Sequence, residues 1–469
     1  MIKATKNELY KIFHKKFIYL VLIITVVFTI LFGVLDILSN EDDSYDNNIN
    51  MSKHSMEVLE TNGLTTSSDY AYQKSLVEMY TLLKDRNIDP KSPEAYYIQN
   101  TLFSYINQYN LFLVQNDKSE LIDNAKIEMD KSIKRLDNFD WKELVQERIN
   151  EEQSQQCLDQ KCEEIKKETI RVLEYRINHD IPFTNTNASS YIEEYISLYS
   201  QYINVKDSNE ELLKYNDLYE KKQLEKQISE MQYMLDHEIY TSSFTNTSTG
   251  SEMIDEFSYP NVMIAIVVIV LSATVVSEEF SKGTIKQLLV KPFSRNKIII
   301  SKMLAVLITS IAFTFAFNII STVIQGIFEG DLITIFGNDI VYNFNTKKCI
   351  EISYIMESLI AFIYALPMII LLGIFVFALS TITTNAPFAL GMGFGAYLSE
   401  SVFQLLIRRA SLISYSPTLN YNLSTYMFGG MNSIKELYLS KAIAVDIVSF
   451  VVLFIVILVV FNKKDIKNQ

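Results

Sequence analysis

The stretch Ser358–Ser399 contains 42 consecutive residues without one charged side chain. A single helix of that length would be about 63 Å long, roughly twice the thickness of the hydrocarbon core of a bilayer. The chain must therefore turn back within this stretch, and the polar segment Thr381–Pro387 is the place where a proline permits it. The stretch predicts two membrane-spanning helices, at 358–380 and 385–407.

Four further apolar segments are long enough to cross a bilayer as helices. Their predicted ranges are 17–38, 258–277, 298–328 and 442–462. Counts of five or seven spans are the alternatives, and six is the count that we expect. The predicted fold class is an all-α polytopic membrane protein with six transmembrane helices.

Charged residues divide the chain unevenly. Residues 39–257 hold 42 acidic and 22 basic side chains, a net charge of −20, so the remainder carries +7 of the total of −13. Basic residues concentrate in 1–16, in 278–297 and in the tail 463–469, and such residues favour the cytoplasmic side. We therefore expect both termini in the cytoplasm and 39–257 as a mainly helical extracytoplasmic domain. The expected location is the plasma membrane of a bacterial cell with a single membrane.

Residues 1–16 predict an interfacial helix that lies on the inner leaflet before the first span, because apolar residues share one helical face among lysines. These residues are Ile2, Leu9, Ile12 and Phe13. On the other side of the membrane, 329–357 and 408–441 are the expected external loops.

Helical signals also mark the extracytoplasmic domain. Asp140 stands where an N-cap is expected, before an apolar pattern of helical period. Two seams with alternating steps of four and three residues follow, which is a coiled-coil type of spacing. The first comprises Leu158, Cys162, Ile165, Thr169 and Val172, and the second comprises Leu224, Ile228, Met231 and Leu235.

Two of the three cysteines, Cys157 and Cys162, lie in this domain, five residues apart. On a regular helix their Cα atoms would be too far apart for a disulfide. A disulfide would need a break in the helix around 158–161, and free or intermolecular thiols are the alternative.

The connection between the second and third predicted spans is the most informative stretch. Glu278 and Glu279 follow the second span, and Gly283 permits a sharp turn. Pro292 ends the segment in between as a helix. Apolar residues recur there at i, i+3 and i+4, and they are Ile285, Leu288 and Leu289. This pattern predicts a short amphipathic helix at the cytoplasmic surface, suited to docking into a groove of a soluble partner.

This connection resembles that of the ABC-2 family of ATP-binding-cassette exporter permeases. The matching residues are Glu278, Glu279, Gly283, Thr284, Leu288, Leu289, Pro292, Ser294, Arg295 and Lys302. The resemblance implies that this connection, with Ile285 on its apolar face, couples the membrane helices to an ATPase. It also implies re-entrant helices within 408–441, whereas the insertion 39–257 occurs in only part of that family.

In that family the permease has no ATPase activity of its own. The resemblance implies two membrane subunits, as copies or paralogues, paired with two cytoplasmic subunits that hold ATP and Mg²⁺. This chain contains no Gly-Lys dipeptide and hence no Walker A loop, so we expect neither an enzyme nor a bound cofactor. No cysteine and histidine cluster has metal-site spacing, and the negative net charge argues against nucleic acid as a partner.

Two glycines and two acids inside the predicted spans are further candidates. Gly391 and Gly395 have the spacing of a close helix-packing face. Glu400 and Asp446 are candidates for a substrate path, because acids in membrane spans are often functional. Both acids are predicted near the outer interface, where hydration is easy.

The function expected from these observations is the membrane subunit of an ATP-driven exporter. The charge of −20 on the extracytoplasmic domain would attract cationic, amphipathic molecules such as peptide antibiotics or bacteriocins. Export of, or protection against, such a peptide is the first hypothesis, and sodium, drug or lipid export is an alternative. A membrane receptor or scaffold with a sensing domain is the alternative without transport.

Overall fold

The computed structural model describes residues 2–14, 16–40, 45–90, 92–183, 187–237, 248–284 and 294–464. The chain is mostly helical, at 79% helix, in agreement with the helical class predicted from the sequence. It divides into two compact units. We call 1–34, 210–230 and 247–469 the membrane unit, and 35–209 with 231–246 the polar unit.

The helices up to the end of the polar unit are α1 (Ile2–Phe13), α2 (Lys16–Asn40), α3 (Tyr45–Thr61), α4 (Ser68–Asp85), α5 (Pro93–Tyr97), α6 (Phe103–Val114), α7 (Ser119–Arg135), α8 (Trp141–Ser154), α9 (Gln160–Asn178), α10 (Asn187–Val205) and α11 (Tyr215–His237). The later elements are α12 (Thr249–Ser258), α13 (Val262–Ser281), α14 (Arg295–Glu329), β1 (Asn338–Asn343), β2 (Lys348–Ser353), α15 (Tyr354–Thr383), α16 (Ala386–Leu406) and α17 (Leu439–Lys463).

Within the part of the chain that the structure describes, four segments are long and apolar enough to cross a membrane. They are Thr249–Ser281, Arg295–Phe328, Tyr354–Thr383 and Leu439–Lys463. These segments contain the second, third, fourth and sixth predicted spans. The first and fifth predicted spans fall on α2 and α16, and they stay predictions.

The second of these spans begins after a break in the helix. Pro260 separates α12 from α13, because proline lacks the N–H that a continuous helix would use. Asn261 then caps α13 by accepting hydrogen bonds from the backbone N–H groups of Met263 and Ile264. From there α13 packs against α14 and α15, and its side chains Ile264 and Ile269 are fully buried in the core of the membrane unit.

A β-hairpin lies where the sequence predicts an external loop at 329–357. β1 pairs with β2 in antiparallel register, with Asn338 opposite Ser353 and Asn343 opposite Lys348. The run Ile340-Val341-Tyr342 is β-branched and aromatic, which favours an extended strand. The all-α class is therefore wrong at this hairpin, which is too short to have a clear alternating pattern.

The second loop predicted to be external, 408–441, contains short 3₁₀ helices rather than longer re-entrant α-helices. They are Ser411–Tyr415, Pro417–Leu419 and Ser424–Gly429. Pro417 starts one of them, and Phe428 and Gly429 have left-handed backbone, which ends another. Turns this tight do not extend into a longer helix.

The polar unit is a set of amphipathic helices, as its sequence patterns predict. Asp140 caps α8 by accepting a hydrogen bond from the backbone N–H of Lys142. In the first seam, Thr169 and Val172 are buried on α9, but Leu158 is fully exposed because it precedes the helix. The seam prediction is therefore wrong at Leu158. In the second seam, Ile228, Met231 and Leu235 are buried on α11.

Cys157 and Cys162 form a disulfide with a Cα–Cα distance of 5.4 Å. The distance is short because α8 ends at Ser154 and α9 begins only at Gln160, so that the intervening chain is not helical. Asp159 begins α9 by accepting a hydrogen bond from the backbone N–H of Cys162, at 2.8 Å. The break in the helix that a disulfide requires is thus present.

Candidate functional site

The amino-terminal helix α1 packs against α14 by one face. Its buried residues Thr5, Glu8 and Ile12 are spaced three and four apart, which places them in one row along the helix. Ile12 is 2% exposed and belongs to the apolar core of the membrane unit, whereas Ile2 and Phe13 are exposed. An acidic side chain, Glu8, therefore lies in the row that faces the rest of the protein.

Lys302, in the third turn of α14, is the partner of Glu8. Its side chain is 1% exposed, and its Nζ lies 2.7 Å from Oε2 of Glu8 and 2.6 Å from Oε1 of Glu279. Lys11 completes the group, with its Nζ 2.7 Å from Oε1 of Glu8 and 3.3 Å from Oε1 of Glu279. We call Glu8, Lys11, Glu279 and Lys302 the charge cluster; with two acids and two lysines its formal charge is zero.

These contacts shift the pKa values of Glu8 and Lys11. Burial by itself raises the pKa of Glu8, but the ammonium of Lys302 and the hydrogen bonds from Lys11 and Lys302 outweigh it and lower that pKa below 4.5. Burial tends to lower the pKa of Lys11, and its contacts with Glu8 and Glu279 raise it above 10.5 instead. Glu8 and Lys11 are therefore both charged at neutral pH, and removal of any member of the charge cluster leaves a buried charge with fewer partners.

The charge cluster joins three parts of the membrane unit at one place. Glu8 and Lys11 come from α1, Glu279 from the last turn of α13, and Lys302 from the beginning of α14. Sequence reasoning assigned Glu279 and Lys302 to the connection between two spans but missed Glu8. The available signal was that Glu8 is the one acid in a segment, 1–16, that is otherwise basic.

The other predicted coupling residues are placed as follows. Glu278 is half-buried and pairs with Lys282, the residue just after α13, at 3.4 Å. Gly283 has a φ of 69°, a left-handed conformation that suits glycine, and it turns the chain after α13 with Thr284 following. The remaining residues of the predicted helix lie outside the described part of the chain, and they are Ile285, Leu288, Leu289 and Pro292.

Arg295 begins α14 and contacts the end of α17. Its Nη1 donates hydrogen bonds to the backbone oxygens of Asn462, at 3.0 Å, and Lys464, at 3.2 Å. Lys464 in turn donates to the backbone oxygens at the end of α15, those of Thr381 and Ile382, at 2.9 and 3.0 Å. Such contacts satisfy carbonyl groups that a helix end leaves without partners. The start of α14 and the ends of α15 and α17 thus meet at one end of the membrane unit.

The two acids of the predicted substrate path have different surroundings. Glu400 accepts hydrogen bonds from the hydroxyl groups of Tyr259, at 2.7 Å, and Tyr421, at 3.2 Å. Asp446 is 7% exposed, and among the described residues neither of its carboxyl oxygens has a hydrogen-bond partner. The structure thus places Glu400 in a network of tyrosines and leaves Asp446 as a buried acid on α17.

Gly391 and Gly395 do not form a packing face within this chain. A Cβ atom at either position would meet nothing within 4 Å. The packing glycine is Gly393, where a Cβ would lie 2.7 Å from Val376 and 2.9 Å from Ile269. Residues two apart on a helix point to nearly opposite sides, so a face through Gly393 excludes both of the predicted glycines.

A row of buried polar residues on α14 also escaped the sequence reasoning. Its members recur at intervals of three or four, and each is at most 3% exposed: Ser310, Thr314, Asn318, Ser321 and Thr322. Thr314 and Thr322 donate to the carbonyl oxygens four residues earlier, which satisfies their hydroxyl groups inside an apolar helix. This spacing in the sequence could have revealed the polar row. It was missed because the span was assigned from hydropathy alone.

No arrangement of three or more histidine, cysteine, aspartate or glutamate side chains that could hold a metal ion occurs among the residues described.

Comparison with known proteins gives a family and two relatives. A family model described as "Protein of unknown function (DUF2705)" matches residues 215–467. The uncharacterized protein YhcI of Bacillus subtilis (strain 168) is 24% identical over 246 residues, which cover 50% of this chain and 74% of YhcI. The uncharacterized membrane protein YdbK of the same organism is 32% identical over 101 residues, which cover 21% of this chain and 41% of YdbK. No solved structure matches this chain.

Proposed function

This chain belongs to the DUF2705 family, and from that premise we propose that it is the membrane-spanning permease subunit of an ATP-binding-cassette exporter of the ABC-2 type. Its six spans are the four apolar helices of the structure together with α2 and α16. Both termini lie in the cytoplasm, and the cell membrane is that of a bacterium, in keeping with the Bacillus origin of both relatives.

The observation that carries this proposal is the charge cluster. An ATP-driven permease has to transmit movement of a soluble partner to its spans through the cytoplasmic connections. Here the connection after α13 begins next to Glu279, which is held by Lys302 of the next span and by Lys11 of the amino-terminal helix. A force on 285–293 would therefore act on α13, α14 and α1 together.

In this mechanism the chain itself hydrolyses no ATP. Two ATPase subunits hold ATP and Mg²⁺, and each docks on the amphipathic segment that contains Leu288 and Leu289. A second permease subunit, either a copy or a paralogue, completes the pathway across the bilayer. The buried polar row on α14, with Glu400 and Asp446, supplies polar groups that a path for a charged or amphipathic cargo requires.

The cargo class that fits the charge distribution best is a cationic, amphipathic peptide of the antibiotic or bacteriocin kind. The −20 charge of 39–257 would concentrate such a peptide at the outer surface, and the membrane unit would expel it from the bilayer. Sodium, drug or lipid export by the same mechanism is the alternative.

We expect an ATP-binding-cassette ATPase to be encoded beside this chain, and the decisive experiment is reconstitution with it. We expect ATP hydrolysis and peptide export that depend on both subunits, and Leu288→Asp should reduce both while leaving membrane insertion intact. Ser281→Asp is the matched control, because Ser281 is exposed just before the same segment. Absence of a partner ATPase, or full export by the Leu288 variant, would contradict the proposal and favour a receptor or scaffold.

A further inference from the structure

A second group of charged residues lies around the first turn of α15. Glu230 of α11 is 3% exposed, and its Oε1 accepts a hydrogen bond from the backbone N–H of Tyr342 in β1, at 2.6 Å. Its nearest opposite charge is Nζ of Lys226, one turn earlier on α11, at 3.9 Å. Glu230 thus connects α11 to the hairpin through a buried carboxyl group.

Asp339 of β1 lies close enough to Glu357, in the first turn of α15, for the two carboxyl groups to interact electrostatically. Two neighbouring carboxylates disfavour ionisation of both, so this pair favours one bound proton. Glu357 is 7% exposed, and its Oε2 is buried without a hydrogen-bond partner among the described residues. An orphaned oxygen of this kind is costly when it carries negative charge, which again favours a bound proton.

The groups that act on these carboxyls come from each element packed around them. They are Lys226 and Glu230 on α11, Asp339 on β1, Cys349 on β2 and Glu357 on α15. Burial, with the negative charge of Glu230, raises the pKa of Cys349 to about 11, so this thiol stays neutral. Three carboxyl groups therefore face one ammonium group, and two protons are needed to bring the group to zero charge.

We propose that Glu230, Asp339 and Glu357 form a proton-binding site that couples α11 and the hairpin to α15. One proton is shared by Asp339 and Glu357, and a second is held by Glu230 when the pH of the solution is low. Glu357 stands 24 residues before Thr381, about 36 Å along α15, so this site and the charge cluster lie at opposite ends of the membrane unit. The inference does not depend on the exporter proposal.

Glu230 determines when the site changes its charge. Burial raises the pKa of Glu230 to about 7, although the ammonium of Lys226 and the Tyr342 N–H oppose that rise. Above that pH the site has a net charge of −1, and below it the charge is zero. Deprotonation therefore places an uncompensated negative charge among buried groups and lowers the stability of the fold, although the Tyr342 N–H favours the carboxylate.

Thermal unfolding of the full chain in detergent tests this site. A carboxyl group whose pKa is higher in the folded state stabilises the fold at low pH, and this stabilisation is lost as pH rises through the folded value. Between pH 5 and pH 7 this loss corresponds to roughly a 40-fold change in the unfolding equilibrium. Glu230→Gln should flatten this dependence, and Glu220→Gln, an exposed residue of the same helix, should retain it.

A labelling measurement on the unaltered protein covers the case in which a variant fails to fold. A hydrophobic carbodiimide modifies protonated carboxyl groups in apolar surroundings, and mass spectrometry locates the product. We expect modification of Asp339 or Glu357 at pH 7 and none of Glu220. Modification that declines as pH rises supports the site, whereas absence of modification at both residues, or a pH dependence that Glu230→Gln leaves unchanged, overturns it.

Discussion

Replacement of Lys302 by methionine is the most direct test of the charge cluster. Methionine keeps much of the length of lysine but leaves Glu8 and Glu279, whose side chains are only 8% and 14% exposed, with Lys11 as their remaining counter-charge. Removal of one partner from a buried ion pair costs about 3–5 kcal/mol. That cost corresponds to a shift of roughly 10²–10⁴-fold in the equilibrium between docked and released α1.

The assay is the rate at which a thiol reagent modifies a cysteine placed at Thr5, which is 8% exposed in the buried row of α1. The native cysteines are replaced by serine in the background. If release of α1 limits access of the reagent to the cysteine, the labelling rate should rise by roughly 10²–10⁴-fold in the Lys302→Met variant. The double variant Lys302→Met, Glu8→Gln should recover part of the difference, because it removes one of the unpaired carboxylates.

The control is Lys282→Met, which removes an exposed ion pair with Glu278 at 3.4 Å. Exposed pairs contribute about 0–1 kcal/mol, so the labelling rate should change by less than about fivefold. Equal rates for the protein with Lys302 and for its Lys302→Met variant would refute the argument that the charge cluster holds α1 in place.

Four further predictions follow from the fold and the proposed topology. Acidification should release α1, because the pKa of Glu8 is lower in the folded protein. The stabilisation that Glu8 provides is present above about pH 4.5 and is lost as the pH falls through the folded pKa, and the labelling rate of the cysteine at Thr5 measures this loss. On intact cells, an impermeant thiol reagent should label a cysteine at Ser200 but not one at Ser294, and the opposite result would invert the topology. Gly393→Leu should lower the thermal midpoint through overpacking of about 1–3 kcal/mol, whereas Gly391→Leu should be tolerated. Binding of a cationic peptide to the full chain should weaken steeply between about 0.05 and 0.5 M salt. Binding that does not depend on salt would contradict the proposal that the charge of 39–257 attracts the peptide.

Local patterns in the sequence predict much of this fold. Uncharged segments of about 20 residues indicated the apolar helices, and the cap at Asp140 and the buried seam of α11 follow from spacing over a few residues. These signals are readable because a helix brings together residues that are three or four apart in the sequence. The hairpin β1–β2 escaped prediction because strands of six residues carry little periodic information.

The candidate site was predictable only in part. Glu279 and Lys302 belong to a recognisable segment, but Glu8 stands 294 residues before Lys302, and no local pattern joins residues at that separation. Gly391 and Gly395 have a spacing suited to packing, but within this chain the neighbouring helices contact Gly393 instead. Which face of a helix is used depends on its neighbours, and a single sequence does not specify them.

The distance in sequence between Glu8 and Lys302 has a consequence for synthesis. A ribosome that adds 5–20 residues per second needs roughly 15–60 s to pass from one to the other. During this time α1 is made, but Lys302 does not yet exist to neutralise Glu8, so α1 stays undocked with Lys11 as the partner of Glu8. Docking of α1 is therefore a late step of biogenesis, and chains truncated before α14 should keep this helix open to proteases.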